Sequence, residues 1–197
     1  IKNLQILIFY SLLVMHHIVS DGWSLEVLAN DFLEAYSSNE ITLSRKKLNI
    51  HYKDYAVWQQ LRLKKETFQQ SGKYWQSIFS ENIPILNMPT YQPRSKNRKG
   101  KTISFQFSEN TYSELSKLCK QHKSTLFMGL ISLVDILLHK YSHQDDIIIG
   151  TPIANRKQQE LKNQIGFYAN TIAIRSKIDS SGSFADLLES NRQKLLD

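Results

Sequence analysis

The stretch Met15–Ser24, with the sequence MHHIVSDGWS, constrains the fold of this chain more than any other. An apolar run from Leu4 to Met15 precedes it and predicts a strand that is buried on both faces. The segment Leu25–Tyr36 follows, and its apolar residues recur at the spacing of an amphipathic helix. Two histidines and an aspartate therefore occupy a short junction between a predicted strand and a predicted helix. Such junctions hold side chains between rigid neighbours, so the stretch is interpreted as a functional site.

The rest of the chain mixes helices and strands without a regular strand–helix repeat or a glycine-rich phosphate loop, which predicts a mixed α/β fold of the α+β class. Ser24 is a predicted N-cap, and Thr111 with Glu114 forms a predicted capping box. The helix that starts at Ser124 or Thr125 is apolar nearly all round, so we expect it to be the central buried helix. The pattern predicts helices over residues 24–36, 52–79 with a break near Lys64, 111–120, 125–141, 158–163 and 184–196, and strands over 102–108, 146–149 and most of 165–175.

Composition places the chain among globular proteins, because 41% of its 197 residues are hydrophobic and 22% are charged. Its one cysteine, Cys119, excludes an intrachain disulfide and a cysteine-based metal cluster, and it favours a reducing, cytoplasmic location. The run Leu4–Met15 is too short to span a bilayer and lacks a cleavage site, so no membrane association is predicted. The chain opens on Ile1 and closes within a helical pattern, and we therefore expect a fragment of a longer protein.

The net charge of +7 raises the question of nucleic-acid binding. No helix-turn-helix, zinc-finger or RNA-binding pattern accompanies the charge, so no nucleic-acid partner is predicted. A solvated loop is the favoured interpretation of the basic cluster, and attraction to an acidic protein partner is the alternative. The cluster lies in a proline-flanked connector without interleaved aromatic residues and consists of Arg94, Lys96, Arg98, Lys99 and Lys101.

The histidines do not predict a metal site. His16 and His17 are adjacent, so on a strand they would face opposite sides and could not bind one ion together. The remaining histidines show no ligand spacing. They are His51, His122, His139 and His143.

The order His-His-x-x-x-Asp-Gly over residues 16–22 resembles the active-site motif of the condensation domains of non-ribosomal peptide synthetases. Three further stretches match that family in the expected order, and they separate the chain from simple acetyltransferases, which share only the histidine motif. The chain is therefore identified as a member of the condensation-domain family. The three stretches are Tyr52–Trp58, Gln144–Asp146 with Gly150–Arg156, and Ile165–Phe167 through Asn170 and Thr171 to Arg175.

The resemblance implies two chloramphenicol-acetyltransferase-like lobes arranged as a V, with the active site in the channel between them. This chain would hold an incomplete version of that fold. Residues 1–48 would form the C-terminal part of the N-terminal lobe and carry the histidine motif. Residues 49–197 would form most of the C-terminal lobe, with the boundary in the polar stretch 37–47.

The resemblance also implies a reaction. The family transfers a donor acyl or peptidyl group from its thioester to the amine of an acceptor aminoacyl thioester, which forms an amide bond. Both substrates are presented on phosphopantetheine arms of carrier proteins, and no cofactor is bound covalently to the domain itself. The implied partners are a donor carrier, an acceptor carrier and an adjacent adenylation domain in a multimodular synthetase.

Within this family, His17 would accept a proton from the attacking amine or hold the amine in line. His16 would be a structural hydrogen-bonding residue. Asp21 would point away from the substrate and pair with Arg156, which bends the loop into shape. Gly22 would let the backbone approach the thioester, and its amide would help to stabilise the oxyanion.

Two more residues are candidates for the substrate channel. Asn170 is a candidate polar group there, with satisfaction of local backbone as the alternative. Trp23 is the other candidate, with packing as its favoured role. The chain departs from the family pattern at Ala169, where an aliphatic residue is usual, and this change would widen the channel wall.

Alternatives to amide formation remain at this point. An epimerising or ester-forming relative would use the same fold, and a truncated domain would only dock carrier proteins. The residues Ser20–Ser24 resemble the subclass that accepts donors of L configuration. Since a channel missing one wall should not be active, the isolated fragment is expected to be inactive.

Overall fold

A computed structural model describes residues 12–37, 48–90 and 100–196 of the chain, with the exception of the side chain of Thr67. The chain divides into two compact units: one within Ile1–Gly72 and Pro152–Thr171, the other within Lys73–Thr151 and Ile172–Asp197. This division differs from the lobe boundary predicted at residue 48. The lobe assignment concerns the complete domain and stays a prediction.

Helices dominate the described residues. Five predicted helical regions are confirmed, and the predicted break near Lys64 falls between two separate helices. The predicted helix over residues 158–163 is instead a single 3₁₀ turn, Gln159–Leu161. The other elements in chain order are a 3₁₀ turn His17–Val19, α1 Gly22–Ser37, α2 Tyr52–Leu63, α3 Glu66–Ile78, α4 Glu109–Gln121, α5 Leu126–Ser142, β1 Asp146–Ile153, β2 Asn170–Lys177 and α6 Phe184–Leu196.

The helix caps differ from two predictions. Helix α1 begins at Gly22, and Asp21 caps it by accepting a hydrogen bond from the Ser24 backbone N–H at 2.8 Å. Ser24 is therefore not the N-cap, because it already lies within the first turn. Ser108 caps α4 by accepting a hydrogen bond from the Thr111 N–H at 3.1 Å, so the predicted capping box that starts at Thr111 is wrong. Of the two predicted starts of α5, Ser124 and Thr125, the structure shows Thr125 as the N-cap, which accepts a hydrogen bond from the Met128 N–H at 3.3 Å.

Strands β1 and β2 form a two-stranded sheet. The Ile178 N–H donates a hydrogen bond to the Asp145 carbonyl at 2.7 Å, so the start of β1 lies beside the end of β2 and the strands run antiparallel. Strand β1 is longer than predicted. Strand β2 begins only at Asn170, because the preceding residues bond to side chains of other elements.

Two predicted strands are not observed. Residues 102–107 have no regular structure, and Ile103 and Phe105 are 80% and 77% exposed. Of the predicted strand Leu4–Met15, residues 4–11 lie outside the described residues, and residues 12–15 form no strand. A strand needs a neighbour that pairs with its backbone N–H and C=O groups, and no strand of the described residues pairs with either segment.

Helix α5 is not buried on all sides, contrary to the prediction. Leu137 is 53% exposed, whereas Ser132 and Asp135 on the opposite side are fully buried. The Asn191 side-chain amide of α6 donates hydrogen bonds to Asp135 Oδ2 at 2.8 Å and to Ser132 Oγ at 3.1 Å. Burial raises the pKa of the Asp135 carboxyl. Hydrophobic periodicity does not show which side the neighbouring elements cover, and here the covered side carries Ser132 and Asp135 together with Met128 and Ile131.

A buried arginine joins the sheet to the end of α3 within the second unit. The Arg175 side chain is 5% exposed and forms an ion pair with Asp146, with Nη2 at 2.6 Å from Oδ2. The guanidinium also donates to the carbonyls of Ile78 and Asn82 at 2.8 and 3.0 Å. Arg175, the last residue of the stretches that resemble the family, thereby fixes the loop that follows α3.

No single helix of the described residues is long and apolar enough to cross a membrane. Helices α4 and α5 are long and apolar enough for a membrane span only when their lengths are added, and the angle between them is 106°.

Candidate active site

His17 lies at the surface in the 3₁₀ turn that precedes α1. Its Nδ1 atom is 2.7 Å from the Ser20 carbonyl oxygen. A carbonyl oxygen only accepts hydrogen bonds, so the neutral ring carries its hydrogen on Nδ1 and leaves the lone pair of Nε2 available. The backbone of the turn thereby selects the tautomer in which Nε2 can accept a proton.

His16 has a different role in the same turn. Its Nδ1 accepts a hydrogen bond from the Ile18 N–H at 3.1 Å, which caps the 3₁₀ turn. In that bond Nδ1 is the acceptor, so the neutral ring of His16 has the opposite tautomer to that of His17. The structural role of His16 in the complete domain stays a prediction.

Asp21 is 3% exposed and uses both carboxylate oxygens within the protein. Its Oδ1 accepts hydrogen bonds from the Ser24 N–H and hydroxyl at 2.8 and 2.7 Å. Its Oδ2 accepts from the backbone N–H groups of Tyr168 and Ala169 at 3.0 and 3.2 Å. Burial by itself would raise the pKa of Asp21, but the hydrogen bonds from Ser24 and Tyr168 and the charge of Arg156 outweigh it and lower the pKa to about 2. Asp21 is therefore a buried anionic anchor.

Arg156 pairs with Asp21, as the sequence predicts, at 3.0 Å between Nη2 and Oδ1, and its side chain is 1% exposed. Its Nη1 donates to the carbonyls of Leu161 and Gln164, both at 2.6 Å. The guanidinium carbon also lies 4.1 Å from the centre of the Tyr168 ring, at the distance of a cation–π contact. Arg156 thus closes the loop that follows it and joins that loop to the start of α1.

Ser24 completes this buried cluster, a role that the sequence prediction missed. Its side chain accepts hydrogen bonds from Arg156 Nη2 at 2.8 Å and from the Gly166 N–H at 3.1 Å. Its single hydroxyl proton is directed to Asp21 Oδ1 or to the Gly166 carbonyl oxygen, at 2.7 and 2.8 Å. Ser24 is fully buried, three residues after Asp21 in the first turn of α1, and that spacing is the signal that could have identified it.

Residues 166–169, hereafter the clamped segment, form no regular secondary structure. Asp21, Ser24 and Arg156 bind the backbone groups of Gly166, Tyr168 and Ala169, as given above. The Tyr52 hydroxyl donates a hydrogen bond to the Phe167 carbonyl at 2.9 Å. The ring of Phe167 reaches the imidazole of His17, with ring centres 5.3 Å apart and an angle of 79° between the planes.

A small hydrophobic core includes one residue of the clamped segment, Tyr168. Tyr55, Leu161 and Tyr168 form this core and are 7%, 2% and 2% exposed. The Tyr168 hydroxyl donates to Gln164 Oε1 at 2.5 Å, and the Asn155 amide donates to the Tyr55 hydroxyl at 3.1 Å. Residues from all four stretches that resemble the family therefore meet in one packed region of the first unit.

Comparison with known proteins gives the same family as the four sequence stretches. The sequence model of the condensation-domain family matches residues 8–197. The chain belongs to the condensation-domain family. It is 36% identical over 184 residues to gramicidin S synthase 2 of Brevibacillus brevis, and the match covers 92% of this chain but only 4% of that protein.

Solved structures of related domains give the same result for the fold. A four-domain nonribosomal peptide synthetase in its holo form, bound to AMP and glycine, is 27% identical with a TM-score of 0.77, and the match covers 90% of this chain and 13% of that chain. The epimerization domain from the third module of tyrocidine synthetase B is 19% identical with a TM-score of 0.76, with coverage of 92% and 42%. These comparisons confirm the predicted family and the mixed α/β, chloramphenicol-acetyltransferase-like fold.

The remaining predicted site residues of this condensation domain are Gly22, Trp23 and Asn170. Gly22 is exposed, and a Cβ atom built on it would meet no atom within 4 Å. The Trp23 indole N–H donates to the Lys162 carbonyl at 2.8 Å, and the Asn170 side chain accepts from the Thr171 N–H at 2.8 Å. The oxyanion role of Gly22 and the channel roles of Trp23 and Asn170 stay predictions.

Metal ligands are not grouped within residues 12–37, 48–90 and 100–196, where no three His, Cys, Asp or Glu residues could hold one ion. Of the basic cluster, Lys101 is exposed and the other four residues lie outside the described residues. The expectations of no metal and no nucleic-acid partner stay predictions.

Proposed function

We propose that this domain forms an amide bond between a donor acyl or peptidyl thioester and the amine of an acceptor aminoacyl thioester. The observation that carries the proposal is the hydrogen bond between His17 Nδ1 and the Ser20 carbonyl at 2.7 Å, which leaves Nε2 as the acceptor. An amine attacks only in its neutral form, and the tetrahedral adduct must then lose a proton. An exposed imidazole with a free lone pair is suited to accept that proton or to hold the amine in line.

In the proposed reaction a C–N bond forms and the C–S bond of the donor thioester breaks. The proton released by the amine passes to His17 Nε2 and from there to the departing thiolate of the donor arm. Base or positioning effects of this kind contribute roughly 10²–10⁴-fold to a rate. Asp21 takes no part in the proton transfer, because both of its oxygens accept hydrogen bonds from the protein and its pKa is held at about 2.

The proposed partners are a donor and an acceptor carrier protein with phosphopantetheine arms, together with an adjacent adenylation domain. The likeness to a four-domain nonribosomal peptide synthetase and to gramicidin S synthase 2 supports the assignment. We also propose a donor of L configuration and a cytoplasmic location, the latter supported by the single cysteine, Cys119.

The test uses the protein encoded by the full reading frame that contains this sequence, with both carriers loaded separately. We expect the intact mass of the acceptor carrier to increase by the mass of the donor acyl group. The variant His17→Ala should reduce the transfer rate by roughly 10²-fold or more. His122→Ala, which alters a histidine at the end of α4 in the other unit, is the matched control and should transfer at the wild-type rate.

Each alternative has its own signature in this assay. An epimerising domain would invert the donor without the acceptor carrier and without a change in mass, and the likeness in fold to an epimerization domain makes this control necessary. An ester-forming domain would accept a hydroxy-acyl acceptor in place of an aminoacyl one. A docking domain would bind both carriers and transfer nothing.

A further inference from the structure

We infer that Phe167 is a positioning residue that holds the imidazole of His17 in its reactive orientation. The inference rests on the proposed function and assigns a residue that the sequence resemblance gave no role. The ring centres of Phe167 and His17 are 5.3 Å apart and their planes meet at 79°. This edge-to-face arrangement lies within the distance range that aromatic pairs prefer.

His17 needs a second contact because its hydrogen bond fixes only one ring atom. Nδ1 is held by the Ser20 carbonyl at 2.7 Å, and the side chain is otherwise at the surface. A ring anchored at one atom can still tilt about that atom, which would move Nε2 relative to a bound amine. The Phe167 ring limits this tilt from the side.

Phe167 is placed by its backbone and not by burial of its own side chain. The side chain is 41% exposed. Its carbonyl accepts the hydrogen bond of the Tyr52 hydroxyl at 2.9 Å, while the next two backbone N–H groups donate to Asp21 Oδ2 at 3.0 and 3.2 Å. On the other side, the Gly166 N–H donates to the Ser24 hydroxyl at 3.1 Å.

This arrangement connects the buried cluster to the catalytic histidine. The Asp21 carboxylate caps the helix that follows the His17 turn, and the same carboxylate holds the backbone beyond Phe167. One buried side chain therefore sets both partners of the aromatic contact in relation to each other. The ion pair with Arg156 acts on the reaction through this geometry, without contact with the substrate.

The experiment measures single-turnover acyl transfer in the full-length protein at increasing concentrations of loaded acceptor carrier. Phe167→Leu should lower the maximal rate about 3- to 10-fold, the effect expected for one aromatic pair, without changing the half-saturating carrier concentration. Phe167→Tyr should recover most of that loss, because it keeps the ring. Phe127→Leu, an exposed phenylalanine on α5 that is 47% exposed, is the matched control and should leave the rate unchanged.

A double-mutant cycle separates positioning from a general structural effect. In a His17→Ala background, Phe167→Leu should cause no further loss, because there is no imidazole left to orient. An equal loss in that background would overturn the inference, as would a Phe167→Leu variant with the wild-type rate or with only a raised half-saturating concentration. If His17→Ala itself leaves transfer unchanged, the proposed function fails together with this inference, whereas the other outcomes leave the proposed function intact. Thermal unfolding verifies that each variant is folded, and Phe167→Met replaces Phe167→Leu if the latter is not.

Discussion

At the scale of single residues, His17 and Asp21 lie four positions apart and have opposite chemistry. His17 is exposed, and its hydrogen bond to the Ser20 carbonyl uses Nδ1 and leaves the Nε2 lone pair available. Asp21 is buried, and its oxygens accept hydrogen bonds from Ser24, Arg156 and the clamped segment. A carboxylate with these partners cannot act as a base, so the motif contains one histidine whose Nε2 lone pair is available and one buried anionic anchor.

The anchor role of Asp21 predicts a loss of stability in Asp21→Asn. The substitution leaves the buried guanidinium of Arg156 without its counter-charge, and it puts an amide NH₂ where N–H donors already converge. We expect the free energy of unfolding at pH 7 to fall by about 3–5 kcal/mol, as measured by urea denaturation. Asp31→Asn, on the exposed face of α1, is the matched control and should change stability by less than about 0.5 kcal/mol.

The same prediction has a defined pH dependence. Because the pKa of Asp21 is lowered from 3.8 to about 2 on folding, its contribution is fully present above about pH 4 and is lost as the pH falls through 2. Between about pH 4 and pH 2, the free energy of unfolding of the wild-type protein should fall by about 2 kcal/mol because Asp21 becomes protonated. The difference between wild type and Asp21→Asn should therefore narrow at low pH, and a difference that is constant from pH 7 to pH 2 would contradict the anchor role.

At the scale of elements, the clamped segment shows why residues just before β2 are not a strand. Their backbone groups bond to side chains from α1 and α2 and from Arg156, and those bonds replace a sheet ladder. The close approach of these elements depends on Gly166. A Cβ atom at this position would lie 2.5 Å from a Tyr52 ring carbon and 2.8 Å from a Tyr168 ring carbon.

This crowding predicts that Gly166→Ala destabilises the protein by about 1–3 kcal/mol and slows acyl transfer, because two packed rings must move and shift the backbone of Phe167. Gly72→Ala is the matched control. Gly72 lies inside α3 with no atom within 4 Å of an added Cβ, so alanine should stabilise the protein by roughly 0.5–1 kcal/mol. Thermal unfolding and the transfer assay check both variants. Equal effects of the two substitutions would show that backbone propensity, and not packing around Gly166, determines the outcome.

At the scale of the whole molecule, this chain exposes a large amount of apolar surface. Large hydrophobic side chains are exposed along one face of α5 and over residues 103–107, with Phe105 at 77%. The described residues form a sheet of only two strands, and the chain spans 42% of the length of the solved epimerization domain that it matches in fold. Single exposed apolar residues are ordinary on proteins, but contiguous apolar faces bind other surfaces.

We therefore expect the 197-residue chain, expressed by itself, to self-associate and to bind a dye such as ANS, and to transfer no acyl group. Replacing Leu137 and Leu130 on the exposed face of α5 by Gln should lower the dye signal and the aggregate fraction in light scattering. Replacing the buried Ile131 of the same helix by Gln is the contrasting control, because it should unfold the chain and increase both. A monodisperse wild-type chain that does not bind the dye would contradict this expectation.

The sequence by itself determined the family and five of the six predicted helical regions, and the resemblance to the family predicted the pairing of Asp21 with Arg156. Helices are predictable because their hydrogen bonds and apolar stripes come from neighbouring residues, so α1 and α6 match their predicted extents within two residues. The pairing followed from the resemblance to the family and not from any local pattern. Ordered motifs over most of the chain carried that resemblance.

Only the tertiary structure decided which residues surround the site. Ser24, Gly166 and Phe167 gain their roles through contacts with residues more than 100 positions away, and a local pattern cannot show such contacts. The same reason explains the errors over residues 102–108 and in α5. Strand formation depends on a pairing partner, and the burial of a helix face depends on what covers it, so both are properties of the assembled fold.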